Sequence, residues 1–233
     1  MNRTSARLVV ALLATIAAVT LGALPANADA AITTLTASAD RTRIDAGQSL
    51  TVSGTLTRAT ADGAQPVASA TIGIAYCPTP SFCGEFVAKP VTDAAGHYEA
   101  SVSPVRSGSY RADFLPADGT LAKATATTAQ ITVLQPASIP EFTAARGADG
   151  RIPAHGVIAF PRFTPSPIPV EIQSFSAKTW CWTTVATATA TWDGTAFVFG
   201  ATVAQPGWGL WRAHYAGVPD QFKAATSDVA FVR

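Results

Sequence analysis

Charge is scarce in this chain. Lys and Arg supply 16 of 233 residues and Asp and Glu 15, a net charge of +1. So balanced a composition gives no electrostatic reason to expect nucleic acid or an anionic membrane as partner. Histidine is scarcer still, with His97, His155 and His214 as the full set. None of them falls in a nucleophile or metal motif, and G-x-S-x-G, H-E-x-x-H and S-x-x-K are all missing. The acids are scattered, mostly as single turn aspartates, whereas a paired-carboxylate hydrolase needs two in one cleft. Asp62-Gly63, Asp118-Gly119, Asp149-Gly150 and Asp193-Gly194 each offer one carboxylate. A calcium loop needs several oxygen ligands close together, so turn geometry explains these pairs better. The expectation is a protein with no catalytic residues, no cofactor and no bound metal. Lys and Glu are also few, which leaves little material for surface helices. Thr, Val, Ile and aromatic residues are frequent and favour strands.

One long apolar run is present, and it is N-terminal. Arg3 and Arg7 precede the stretch Leu8–Leu21, Pro25 ends it, and Ala28-Asp29-Ala30 offers small residues for cleavage. At about 14 residues the run is short for a bilayer span. Residues 1–30 are therefore read as a secretory signal, and the mature chain as secreted without a membrane anchor.

The rest of the chain repeats itself. A shift of about 98 residues puts Ile72 and Ile74 on Val170 and Ile172, Cys83 on Cys181, and Val87-Ala88 on Val185-Ala186. With a few inserted residues, Ser109–Phe114 falls on Leu210–Tyr215, and Lys123-Ala124-Thr125 falls near Lys223–Thr226. A period of about 100 residues is the size of one sandwich domain. Two domains are expected, over 31–135 and 141–233. Residues 136–140 join them as a short, stiff linker containing Pro136 and Pro140.

Within each copy the apolar period is two. Leu50, Val52, Gly54 and Leu56 share one face, as do Tyr110, Ala112 and Phe114, and Trp211, Ala213 and Tyr215. Arg111, Asp113, Arg212 and His214 take the opposite, solvent face. Short strands separated by Asp-Gly turns, with almost no helical period, indicate an all-β fold of two sandwiches.

The strings Pro66–Ile72, Val91–Tyr98 and Ser107–Ala112 resemble bacterial Ig-like repeats, which occur as tandem modules of secreted and surface proteins, notably in actinobacteria. The element Thr92-Asp93-Ala94-Ala95-Gly96-His97-Tyr98 also resembles the hairpin of carboxypeptidase-regulatory-like sandwiches. The resemblance implies two tandem Ig-like β-sandwich domains and brings no shared catalytic residues. The second copy departs from it, lacking the Thr-Asp-Ala-Ala-Gly string and carrying a proline-rich run over 160–169.

Three cysteines leave one over. Cys77 and Cys83 flank five residues and can bridge across a hairpin. Cys181 aligns with Cys83, while the counterpart of Cys77 is Phe175. Cys181 is then an unpaired thiol, either buried or joined to another chain. All five tryptophans lie in the second copy. Trp180, Trp182 and Trp211 are assigned to the core. Trp192, beside an Asp-Gly turn, and Trp208, among glycines, are expected to be partly exposed and are the candidate binding residues. The reading that follows is a secreted, non-catalytic interaction protein whose partner is another protein or an envelope component. The alternative is a polysaccharide- or cell-wall-binding module that uses Trp192 and Trp208.

Overall fold

The computed structural model describes residues 30–204 and 208–233. The expected signal lies outside them except for its last residue. No α-helix occurs among the described residues. The first copy contains β1 (Thr33–Leu35), β2 (Ser38–Ala39), β3 (Arg43–Asp45), β4 (Leu50–Thr60), β5 (Gly63–Pro66) and β6 (Ile72–Cys77). It continues with β7 (Phe86–Ala88), β8 (His97–Val102), β9 (Ser109–Phe114), β10 (Ala124–Thr127) and β11 (Thr132–Leu134). The second contains β12 (Ser138–Ala144), β13 (Ile152–Ala159), β14 (Pro169–Ser176), β15 (Cys181–Thr189) and β16 (Thr191–Trp192). It ends with β17 (Phe197–Val203), β18 (Gly209–Tyr215), β19 (Ala225–Thr226) and β20 (Ala230–Val232).

The sheet orders identify the fold. In the second copy one sheet runs β12-β13-β17-β16, and the other runs β15-β14-β18 with β19 and β20 both on β18. In chain order these are strands A-B-E-D against C-F-G, with an added strand beside C, which is the immunoglobulin sandwich. The first copy repeats the plan. Strands β1 and β2 pair with β4, β4 pairs with β8, and the facing sheet is β10-β9-β6-β7. The protein is two tandem Ig-like β-sandwiches. Each encloses its own apolar core, with Leu50, Ile74 and Tyr98 in the first and Ile158, Ile172 and Trp211 in the second.

The repeat holds at the level of register. Ile74 pairs with Ala112 on one side and Ala88 on the other, and Ile172 pairs with Ala213 and Ala186. One core device is also duplicated. Gly54 lies across from Tyr98, and Gly156 across from Phe199. A Cβ on Gly54 would sit 1.9 Å from Thr36 O and 2.7 Å from the Tyr98 hydroxyl, and one on Gly156 2.2 Å from Glu141 O and 2.7 Å from the Phe199 ring. Each glycine lets a neighbouring backbone carbonyl and the cross-strand aromatic ring approach together.

Two sequence expectations need correction. Ser138–Pro140, read as linker, are the first residues of β12. The strand tolerates Pro140 because β12 is an edge strand and its register slips between Ser138 and Glu141. Asp113, placed on the solvent face, is 7% exposed. Its carboxylate is not left without partners: Arg111 Nε lies 2.9 Å away and Thr125 Oγ1 donates to it at 2.8 Å.

The Cys77–Cys83 disulfide is present and closes the β6–β7 connection, with Cα atoms 4.0 Å apart. Cutting it with Cys77→Ser/Cys83→Ser should lower unfolding free energy by about 2 kcal/mol, the entropy released by so short a loop. Chemical denaturation against a Cys181→Ser control measures this. The two buried tyrosines of the first core give a pH test. Burial pushes the Tyr98 phenol up to about 12, and burial with the neighbouring Tyr76 does the same for Tyr110. The neutral phenols favour the fold below the ordinary value of 10.0. That stability is lost as pH rises from 10 toward 12. Circular dichroism should follow the loss, with Tyr98→Phe and Tyr110→Phe each flattening the alkaline limb.

Candidate functional site

The binding candidates Trp192 and Trp208 are both exposed, at 58% and 80%. They do not form one platform. Trp192 pairs with Phe197 at the start of β17 and stacks on its ring at 5.1 Å. Trp208 comes after the other end of β17, just before Gly209. A strand of that length rises about 20 Å, so the two indoles sit at opposite ends of the second sandwich.

A different set of apolar residues does converge. On the outward face of the β15-β14-β18 sheet, Phe175 pairs with Trp182 and Leu210 pairs with Phe231. The last rung between β14 and β18 is Ser174 with Trp211, and one step further sets Phe175 opposite Leu210. Phe231, Leu210, Phe175 and Trp182 therefore form one row across four strands. Neighbouring strands lie about 4.8 Å apart, so the row spans about 14 Å. Phe231 is 54% exposed and Leu210 40%. The pairs are fixed by period two: Trp211 and Ala213 turn inward to the core, which forces Leu210 and Arg212 outward.

Trp180 extends this row and corrects the sequence assignment. It is 80% exposed and takes a left-handed φ of 54° at the tip of the β14–β15 hairpin. That turn breaks the alternation on which a core position was argued. Its ring meets Phe175 edge-on at 6.1 Å, and Phe175 meets Trp182 at 5.4 Å. Trp182 is half-buried, not in the core, because the Arg212 guanidinium covers its ring at 4.2 Å. Trp211 is in the core, fully buried. Cys181 is exposed and unpaired, so the buried-thiol alternative does not hold.

The electrostatics of the face are cationic. Arg212 donates from Nε to Gln173 Oε1 at 2.8 Å, and Arg233 lies 5.9 Å from the Phe231 ring. The one acid beside Arg212's network is Glu171, which accepts from Gln173 at 2.8 Å and Thr184 at 3.1 Å and meets His214 Nδ1 at 3.2 Å. Burial works to raise its carboxyl, and these hydrogen bonds outweigh that and hold it below the usual carboxylate range.

The histidines do not assemble a catalytic set. His214 has an acid but no hydroxyl nucleophile, since Thr184 binds Glu171 rather than the imidazole. His155 has a hydroxyl, Thr143 Oγ1 at 2.9 Å, but no acid bonded to it among the described residues. The two half-sets lie on different sheets. His97 starts β8 beside a turn. No group of three metal-ligating side chains occurs among the described residues.

No family model matches the chain, and no curated protein does. Solved structures of similar fold include the D0-D1 domain of intimin, at 13% identity and TM-score 0.28, covering 84% of this chain and 96% of that one. The Escherichia coli adhesin FdeC shows 15% identity and TM-score 0.38 over 85% of this chain and 64% of its own. The Yersinia pseudotuberculosis adhesin InvE shows 12% identity and TM-score 0.37 over 85% and 58%. At such scores the fold assignment rests on the strand order described above, and the function of these proteins does not transfer.

The exposed thiol gives a direct check on this geometry. One thiol per chain, Cys181, should react with a small thiol reagent in the native state. Two more should appear only after reduction of the Cys77–Cys83 bridge. Protection of Cys181 to the level of a core residue would contradict the placement of the hairpin tip.

Proposed function

We propose that this chain is a secreted, non-catalytic interaction protein built of two Ig-like modules, and that it binds a protein partner at the cell envelope through the outward face of the second module. The observation that carries the proposal is the row Phe231, Leu210, Phe175 and Trp182, with Trp180 at its end. A contiguous apolar row on an otherwise polar sheet marks an interaction surface. Tryptophan and arginine are the residue types that dominate binding hot spots, and both are central here. The surface is flat and fully set by register, which suits a protein better than a sugar ring. The partner should present an apolar centre with an acidic rim to meet Arg212 and Arg233.

Secretion is supported by the N-terminal signal pattern and by a disulfide, which persists in oxidising compartments. We place the first module at 31–135 and begin the second directly after Gln135. The polysaccharide alternative would draw on Trp192 and Trp208, which are both exposed but form no paired platform.

The test uses the mature chain, immobilised, against envelope proteins of the secreting cell, with parallel co-sedimentation on purified cell wall. Trp182→Ala and Leu210→Asp should each weaken capture of the partner by about 2 kcal/mol, roughly thirty-fold. Trp192→Ala should leave it unchanged. Cell-wall binding lost in Trp192→Ala, with no protein captured, would overturn the proposal in favour of the polysaccharide alternative.

A further inference from the structure

The two sandwiches meet end to end, and the junction contains a cleft of about 470 Å³. That volume is within the range of small-molecule sites, which form preferentially between domains. Arg106 and Gln135 line it from the first module, with Phe163, Thr164 and Ser166 from the second. The Arg106 guanidinium stacks on the Phe163 ring at 4.0 Å. It has no ion-pair or hydrogen-bond acceptor among the described residues. The stack fixes the plane of the guanidinium and leaves its N–H edge open.

Gln135 supplies an independent observation. Its side chain is 6% exposed. Its Nε2 donates to Val105 O at 2.9 Å, which settles the orientation of the amide. Its Oε1 then has no partner. With almost no accessible surface of its own, that oxygen is an unmet acceptor just beneath the cleft wall rather than a contact a ligand meets directly. The exposed hydroxyls of Thr164 and Ser166 add donors to the rim. The site thus combines one open cation and two hydroxyl donors against apolar walls such as Phe222.

We infer that the junction cleft is a ligand site for a small carboxylate. The carboxylate meets the edge of Arg106, and the hydroxyls of Thr164 and Ser166 donate to it. Both an acidic sugar and the C-terminal residue of a peptide have this chemistry. The site is separate from the aromatic face of the second module, so either can fail without the other.

Two-dimensional NMR of the mature two-module chain tests it, with glucuronate and N-acetylalanine as carboxylate probes and glucose and N-acetylalanine amide as neutral controls. Saturable shifts of Arg106, Gln135, Thr164 and Phe163 with a carboxylate probe are expected. Arg106→Met, an exposed substitution that keeps the stack's apolar part, should weaken them at least ten-fold. Response to glucuronate alone assigns an acidic sugar, response to N-acetylalanine alone a peptide terminus, and response to both the shared carboxylate chemistry. The inference is overturned by flat spectra with both carboxylates, by equal response to the neutral controls, or by shifts that survive Arg106→Met.

Discussion

Everything about how this chain presents its surfaces depends on the backbone of Gln135. The first module ends with β11 pairing in parallel with β3, and Leu134 O still accepts from Ala46 there. The last residue of that module already pairs with the second: Gln135 N donates to Gln221 O at 2.8 Å, and Lys223 N donates to Gln135 O at 2.9 Å. No free residue separates the two pairings. The ion pairs Arg43–Asp220 and Lys223–Asp45, the latter at 3.0 Å, flank this point. Exposed pairs of this kind contribute little energy. The backbone pairing, rather than these ion pairs, ties the two modules together at Gln135. The same parallel bridge opens the first module, where Ala31 N donates to Thr120 O and Ala122 N to Ala31 O. Entry into each module is therefore one duplicated device, and in the second copy the preceding strand occupies its upstream side.

The duplication also shows where the copies parted. The end of strand C in the first module is closed by Cys77–Cys83. At the aligned place in the second module stand Phe175 and Cys181, and the hairpin is held by the rings of Phe175, Trp180 and Trp182 with Arg212 above. A covalent closure and an aromatic cluster solve the same problem of ordering a hairpin tip. Both leave apolar side chains exposed, Phe82 at the tip of the first and Trp180 at the tip of the second.

Much of the fold was legible in the sequence because it follows from period two and from the repeat. Leu50, Val52 and Leu56 are inward, as are Tyr110, Ala112 and Phe114. The repeat alignment of Ile74 with Ile172 and Ala112 with Ala213 reappears as strand register. The failures have local causes. Trp180 escaped the alternation through a left-handed turn. Asp113 could be buried because its partners, Arg111 and Thr125, come from its own strand and the adjacent one. Pro140 looked like a linker residue because sequence does not tell an edge strand with a bulge from a loop. The aromatic row was invisible for a deeper reason. Phe175, Trp182, Leu210 and Phe231 come from four strands, and only pairing across them reveals a shared line.

This separation of tasks explains how so charge-poor a chain can carry a specific surface. The inward residues of each sheet are held by packing and admit little change. The outward residues of β14, β15 and β18 contribute little to the core. Their polar members are tied to one another instead: His214, Thr184 and Gln173 converge on Glu171, and Gln173 holds Arg212 over Trp182. Because the Glu171 carboxyl is held below the usual carboxylate range, this anchor stays ionised where an ordinary carboxylate begins to protonate. Arg212 is thereby fixed at two points, by the amide oxygen of Gln173 and by the indole face. A guanidinium held that way loses little freedom when a partner's carboxylate arrives, so even a single cation at the edge of an apolar row can select its partner.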